Sequence, residues 1–153
     1  MMLRMSLHRA SIAWARNAEA PFTYDTYTRD HRVTMETGLV FPASSAPDYK
    51  GNPERTNPEE LLVAALSSCH MLTFLAVAAK KGFVVESYED DAVGVLERPE
   101  GAPTHVTRCT LKPRITWSGN APDAETLTKL HEQAHRGCFI ANSVKTVVTV
   151  EAS

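Results

Sequence analysis

Cys69 lies in the middle of the longest apolar run, "NPEELLVAALSSCHMLTFLAVAAKKG" from Asn57 to Gly82, and Cys138 ends a second apolar stripe, Leu127, Leu130, His131, Ala134 and Cys138. Both runs have helical spacing, so each thiol is expected to face inward from a helix. A thiolate is the reactive form of cysteine. Apolar burial raises the thiol pKa and a neighbouring guanidinium lowers it. Arg29 alternates with Val33 and Met35 on the odd positions of Tyr27 to Met35, and an arginine turned inward needs a carboxylate or a thiolate to offset its desolvation. Arg29 is therefore the expected partner of the Cys69 sulfur. Its fixed fork of donors also suits holding an oxygen in position. The competing readings are two unrelated buried thiols and an arginine with its charge in water.

Other side chains belong to the same inventory. Cys109 shares a strand face with Leu111 and Ile115, where a free cysteine behaves as a small hydrophobe. His131, His135 and Cys138 stand at i, i+4 and i+7 of one helix, and with Cys69 they are the rival set, a zinc site. His70 follows Cys69 directly but points about 100° away around the helix, so it is expected at the helix surface or across a subunit contact.

The elements that must position these residues are well marked. Asn57 suits the cap of the long helix and Pro58 its first position, Glu59 and Glu60 complement the positive end of the helix dipole, and Lys80, Lys81 and Gly82 suit its end. A helix apolar on all sides is expected to be central, covered by sheet, by a second helix or by a second subunit. Strands are expected over about Leu7 to Arg16, Tyr27 to Met35 and Gly38 to Ala43, then a loop from Ser44 to Thr56. Further strands are expected over Phe83 to Glu97 and His105 to Trp117, on either side of a turn from Arg98 to Pro103. Asn120 to Asp123 open the second helix, and a last strand covers Val144 to Glu151. The class is α+β.

The chain has 153 residues, with 16 basic against 18 acidic side chains and no basic run. That length fits one domain with a real core, spanning residues 1–153. The charge pattern recommends neither nucleic acid nor an anionic membrane as partner. Leu61 to Ala79 approaches the length of a membrane span, but Ser67, Ser68, His70 and Thr73 interrupt it. No secretory signal is readable at the N-terminus, and a cytoplasmic location is expected. In that compartment three cysteines are not a structural disulfide framework.

Asn57-Pro58-Glu59-Glu60-Leu61 leading into Ser68-Cys69-His70, with Arg29 upstream and Gly137-Cys138-Phe139-Ile140-Ala141-Asn142-Ser143 downstream, resembles the OsmC/Ohr family of organic hydroperoxide resistance proteins. The likeness covers nearly the whole chain and fits the broader OsmC-like branch. There is no glycine beside Arg29, and His70 rather than an aromatic follows Cys69. The resemblance implies antiparallel sheets wrapped around a long central helix, with a second helix, in an intertwined homodimer with sites at the subunit interface. It implies a thiol peroxidase without metal or other cofactor, in which Cys69 is the peroxidatic cysteine, Cys138 the resolving one, Arg29 the activating arginine and Glu59 the carboxylate that orients it. Its reductant would be a dithiol such as a lipoyl-bearing protein. Ten residues of straight helix put Glu59 about 15 Å from Cys69, so Arg29 and Glu59 of one subunit are expected to meet Cys69 and Cys138 of the other. The alternatives are a non-catalytic binder of a lipid-like ligand in the dimer cleft and the zinc module.

Overall fold

A computed structural model describes residues 4–152, in two compact units that divide after Pro58. The N-terminal unit is a three-stranded antiparallel meander, β1 (Ala10–Ala13), β2 (His31–Met35) and β3 (Val40–Ala43). Val33 stands between Ile12 on one side and Phe41 on the other, and is the buried residue of its strand. The β2–β3 turn is closed by the Met35 amide donating to the Leu39 carbonyl and the Gly38 amide to the Met35 carbonyl. Gly38 has φ +88° there, a region that glycine enters at little cost. The chain then packs the buried Ala43 and Ser44 against the loop that returns through Thr56.

The strand expected from Tyr27 is shorter than its alternation. Residues 27–30 form no ladder, so Arg29 precedes β2 and is not a strand residue. Side chains in this segment take over the backbone's polar partners: Thr28 Oγ1 accepts from the Asp30 amide, and His31 Nδ1 bonds the Arg29 carbonyl. Such local bonds compete with a ladder.

The C-terminal unit is built on α1 (Pro58–Lys80) and α2 (Ala124–Gly137). α1 ends as the sequence requires: Gly82 is left-handed at φ +82°, the Phe83 amide donates to the Ala78 carbonyl and the Gly82 amide to the Ala79 carbonyl, the paired bonds of a Schellman stop. α2 starts at Asp123, whose carboxylate accepts the Thr126 amide at 2.8 Å. Two sheets accompany them. β4 (Val84–Asp90) pairs antiparallel with β7 (Pro113–Ser118), and β5 (Val93–Glu97) pairs antiparallel with β6 (His105–Leu111). β8 (Val147–Val150) lies parallel to β6. The sheets are therefore not wholly antiparallel as expected, and the two long strands expected from Phe83 and from His105 each divide into two that serve different sheets.

The core of this unit has two parts. Phe74 and Ala78 of α1 meet Leu130 and Ala134 of α2, flanked by Phe83, Tyr88, Ile115 and Trp117. Leu66 meets Cys109 and Leu111, flanked by Ile140, Val144 and Val148. Gly94 permits the approach of α1 to β5, because a Cβ there would stand 2.4 Å from Val63 Cγ2. α1 is long and apolar enough to cross a bilayer, yet here its Leu66, His70, Phe74 and Ala78 form the fully buried stripe. A second stripe, Leu61, Ala64, Ser68, Leu72 and Ala76, is exposed in the single chain.

Candidate functional site

Cys69 lies on α1 beside the buried stripe and is partly exposed, whereas Cys138 caps the end of α2 and is buried. The two thiols are neighbours, near enough for Cys69 to act on the titration of Cys138, and no disulfide joins them. The approach has a visible cause. A Cβ on Gly137 would stand 3.2 Å from Thr73 Cγ2, so the absence of a side chain at 137 lets the end of α2 come down on α1 one turn beyond Cys69. Thr73 in turn donates from its hydroxyl to the Cys69 carbonyl at 2.8 Å.

The chain turns sharply after Cys138, and the Ala141 amide donates to its sulfur at 3.4 Å. Burial pushes the Cys138 thiol up, the Ala141 and Ile140 amides pull it down, and the adjoining Cys69 sulfur pushes it up further. Cys138 is thus held as a neutral thiol at neutral pH, next to a more exposed partner. Cys109 differs. It is fully buried beside Leu66 and Leu111, and burial, followed by Asp90, pushes its thiol up, as befits a core residue.

His70 is not at the helix surface as expected. It is 1% exposed, and its Nε2 shares a hydrogen bond of 3.1 Å with Nδ1 of His131, the rings stacked 7° from parallel. Phe74 stacks on His131 in turn, at 4.4 Å. The outer nitrogens, His70 Nδ1 and His131 Nε2, are buried with no partner among the described residues. Burial lowers both rings to about 4; His135 adds to this for His70 while Asp90 opposes it, and His70 adds to it for His131. The pair is neutral at pH 7. It was legible in part: His131 falls in the α2 stripe, and His70 stands four residues from both Leu66 and Phe74, so periodicity buries it whatever its angle to Cys69.

With His131 turned to His70, the rival zinc set of Cys69, His131, His135 and Cys138 does not assemble: among the described residues no three His, Cys, Asp or Glu side chains come together as a metal site.

Arg29 and Glu59, the other two expected site residues, each have their own surroundings. Arg29 is in the N-terminal unit, its guanidinium donating to the Tyr27 carbonyl at 2.6 Å and to the Tyr24 carbonyl, and lying 3.7 Å from the centre of the Tyr27 ring. Carbonyl dipoles and a ring face thus offset part of its charge. Glu59 is in the first turn of α1 and lines a cleft of about 690 Å³ with Glu60, Val63, Ser67 and Tyr88. Within the C-terminal unit, Cys69 and Cys138 are neighbours.

Residues 51–153 match the family model of the OsmC-like proteins. The chain belongs to the OsmC-like family. It is 43% identical to an OsmC-like protein of unknown function from Vibrio cholerae, whose structure superposes with a TM-score of 0.91 over 97% of this chain and 100% of that one. It is also 28% identical over 121 residues to the peroxiredoxin OsmC of Escherichia coli, spanning 78% of this chain and 82% of that protein. An organic hydroperoxide resistance protein from Elizabethkingia anophelis shares the OsmC-like fold, with a TM-score of 0.74 at 19% identity over 99% of this chain and all of that one. Family membership makes peroxidase-type activity the family-level function.

Proposed function

We propose that this OsmC-like chain is a thiol peroxidase that reduces organic hydroperoxides through Cys69 and Cys138. The observation that carries this reading is the nearness of a part-exposed thiol to a buried, neutral one whose titration it affects. The Cys69 thiolate attacks the distal oxygen of ROOH; the O–O bond breaks, the alkoxide leaves as ROH with a proton, and Cys69 becomes a sulfenic acid. The Cys138 sulfur displaces that hydroxyl as water, forming the Cys69–Cys138 disulfide. A dithiol, for which a lipoyl protein is the model, takes up the oxidation by becoming a disulfide itself and restores both thiols.

Arg29 is the group that favours the Cys69 thiolate and holds the peroxide oxygen, and Glu59 orients it. Both are supplied to the thiols by a second copy of the chain. The bare apolar stripe of α1, with Leu72 61% exposed, supports a homodimer, since an exposed apolar helix face of this kind needs a partner. The chain acts as one functional domain of the cytoplasm. Apolar surroundings favour organic over hydrogen peroxide, because each methylene leaving water contributes about 0.8 kcal/mol.

The test is steady-state turnover of cumene, tert-butyl and hydrogen peroxides with dihydrolipoamide or glutathione as donor. Cys69→Ser abolishes turnover, whereas Cys138→Ser permits one sulfenic event per site and then stops. Equal consumption of peroxide by wild type and Cys69→Ser would end the proposal.

A further inference from the structure

The N-terminal unit holds a cleft of about 470 Å³ whose walls include Ile12, Trp14, Phe22 and Tyr27, with Arg29 beside them. The three rings form one cluster: Trp14 and Phe22 lie 5.9 Å apart, Phe22 and Tyr27 5.2 Å, and Trp14 meets Tyr27 edge-on at 6.3 Å. The cluster is fixed rather than loose. The Trp14 indole N–H donates to the Thr28 carbonyl at 2.8 Å, and the Arg29 guanidinium is tied to the Tyr24 and Tyr27 carbonyls over the Tyr27 ring. Despite this, Phe22 remains 62% and Trp14 43% exposed. Rings held in place with wet faces form a ready-made apolar contact surface, because their positions are already ordered before anything binds.

A cation set into an aromatic wall suits a ligand with an oxygen at one end and an apolar body at the other. We propose that this cleft receives the organic tail of the hydroperoxide whose oxygen Arg29 holds, and that it favours aryl tails, which stack on Trp14 and Phe22. The inference rests on the role given to Arg29 under the proposed function and adds to it the residues that choose the substrate. Trp14 and Phe22 are thereby specificity residues, and they touch the tail and not the reacting atoms.

Two measurements test it. The first needs no turnover: the indole signals of the two tryptophans in the ¹⁵N spectrum of the full chain are followed as 2-phenyl-2-propanol, the alcohol product of cumene hydroperoxide, is added. Trp14→Phe assigns the signals. The Trp14 signal is expected to move saturably, with the Trp117 signal still. The second is the ratio of kcat/KM for cumene hydroperoxide to that for tert-butyl hydroperoxide. In Phe22→Ala this preference is expected to fall about tenfold, the scale of one lost aromatic contact, and in Trp14→Phe by less. Phe22 is 62% exposed and belongs to no strand, so its loss spares the β1–β2–β3 ladder. A Trp14 signal indifferent to the alcohol, or one that moves only on dilution of the protein as a covering second copy leaves, overturns the proposal. An unchanged preference in Phe22→Ala does so too. Failure of the peroxidase reading is seen separately, as undiminished turnover in Cys69→Ser.

Discussion

Lowering the pH from 7 to 5 should weaken the fold through the His70–His131 pair. Each ring is held near 4 in the folded protein against 6.5 for an ordinary histidine. The unfolded chain therefore binds more protons than the folded one below 6.5. The stabilisation is complete above that value, begins to fail as the pH falls through it, and is fully lost only below about 4. At pH 5 the linkage amounts to about 2 kcal/mol for one ring, and the second ring adds to it. The direction has a structural cause: a proton on the accepting ring sets two N–H groups against each other, a proton on the donating ring goes to its outer nitrogen, which is buried with no partner among the described residues, and at His70 the nearby His135 opposes the charge while Asp90 favours it. Urea unfolding at fixed protein concentration, in buffers from pH 7.5 to 5, measures it as a fall in the midpoint at constant slope. The double variant His70→Leu/His131→Leu removes both rings and should lose most of the pH dependence in this window. A wild-type midpoint that does not move between pH 7 and 5, or one that moves equally in the double variant, would refute the account.

Gly137→Val should slow formation of the Cys69–Cys138 disulfide after a peroxide pulse, because a side chain there meets Thr73 Cγ2; Thr73→Ser, which deletes that methyl and keeps the hydroxyl bond to Cys69, should restore much of the rate in quenched-flow alkylation. Gly94→Ala should cost about 1–3 kcal/mol, the usual penalty for overpacking, since its Cβ would overlap Val63 Cγ2; adding Val63→Ala should return most of the loss in thermal melts.

The two helices were legible because their signals are local. Proline and acidic residues open α1, Gly82 stops it, and the stripe from Leu127 to Cys138 marks the buried side of α2. The strand partners were not legible. Through Cys109, Leu111, Pro113, Ile115 and Trp117 the alternation never loses phase, so the sequence reads as one strand. The break at Lys112 appears only in the pairing, where its amide leaves the ladder for the Asp90 carboxylate and Pro113 begins β7 without an N–H to offer. The parallel match of β8 to β6 joins segments some 40 residues apart and leaves no short-range trace. For the site, periodicity placed both Cys69 and Cys138 inward, but their nearness depends on how α2 lands on α1. Arg29 looked like a strand residue because alternation continues through residues whose side chains bond their own backbone instead.

The meeting of Cys69 with the last turn of α2 has a further consequence for the protein's lifetime. A bond between the two sulfurs closes a loop of about 70 residues, and loop entropy alone then disfavours the unfolded chain by about 4 kcal/mol. Oxidised molecules would outlast reduced ones against heat and proteases, so in a cell short of reductant the spent form would accumulate by survival as well as by chemistry.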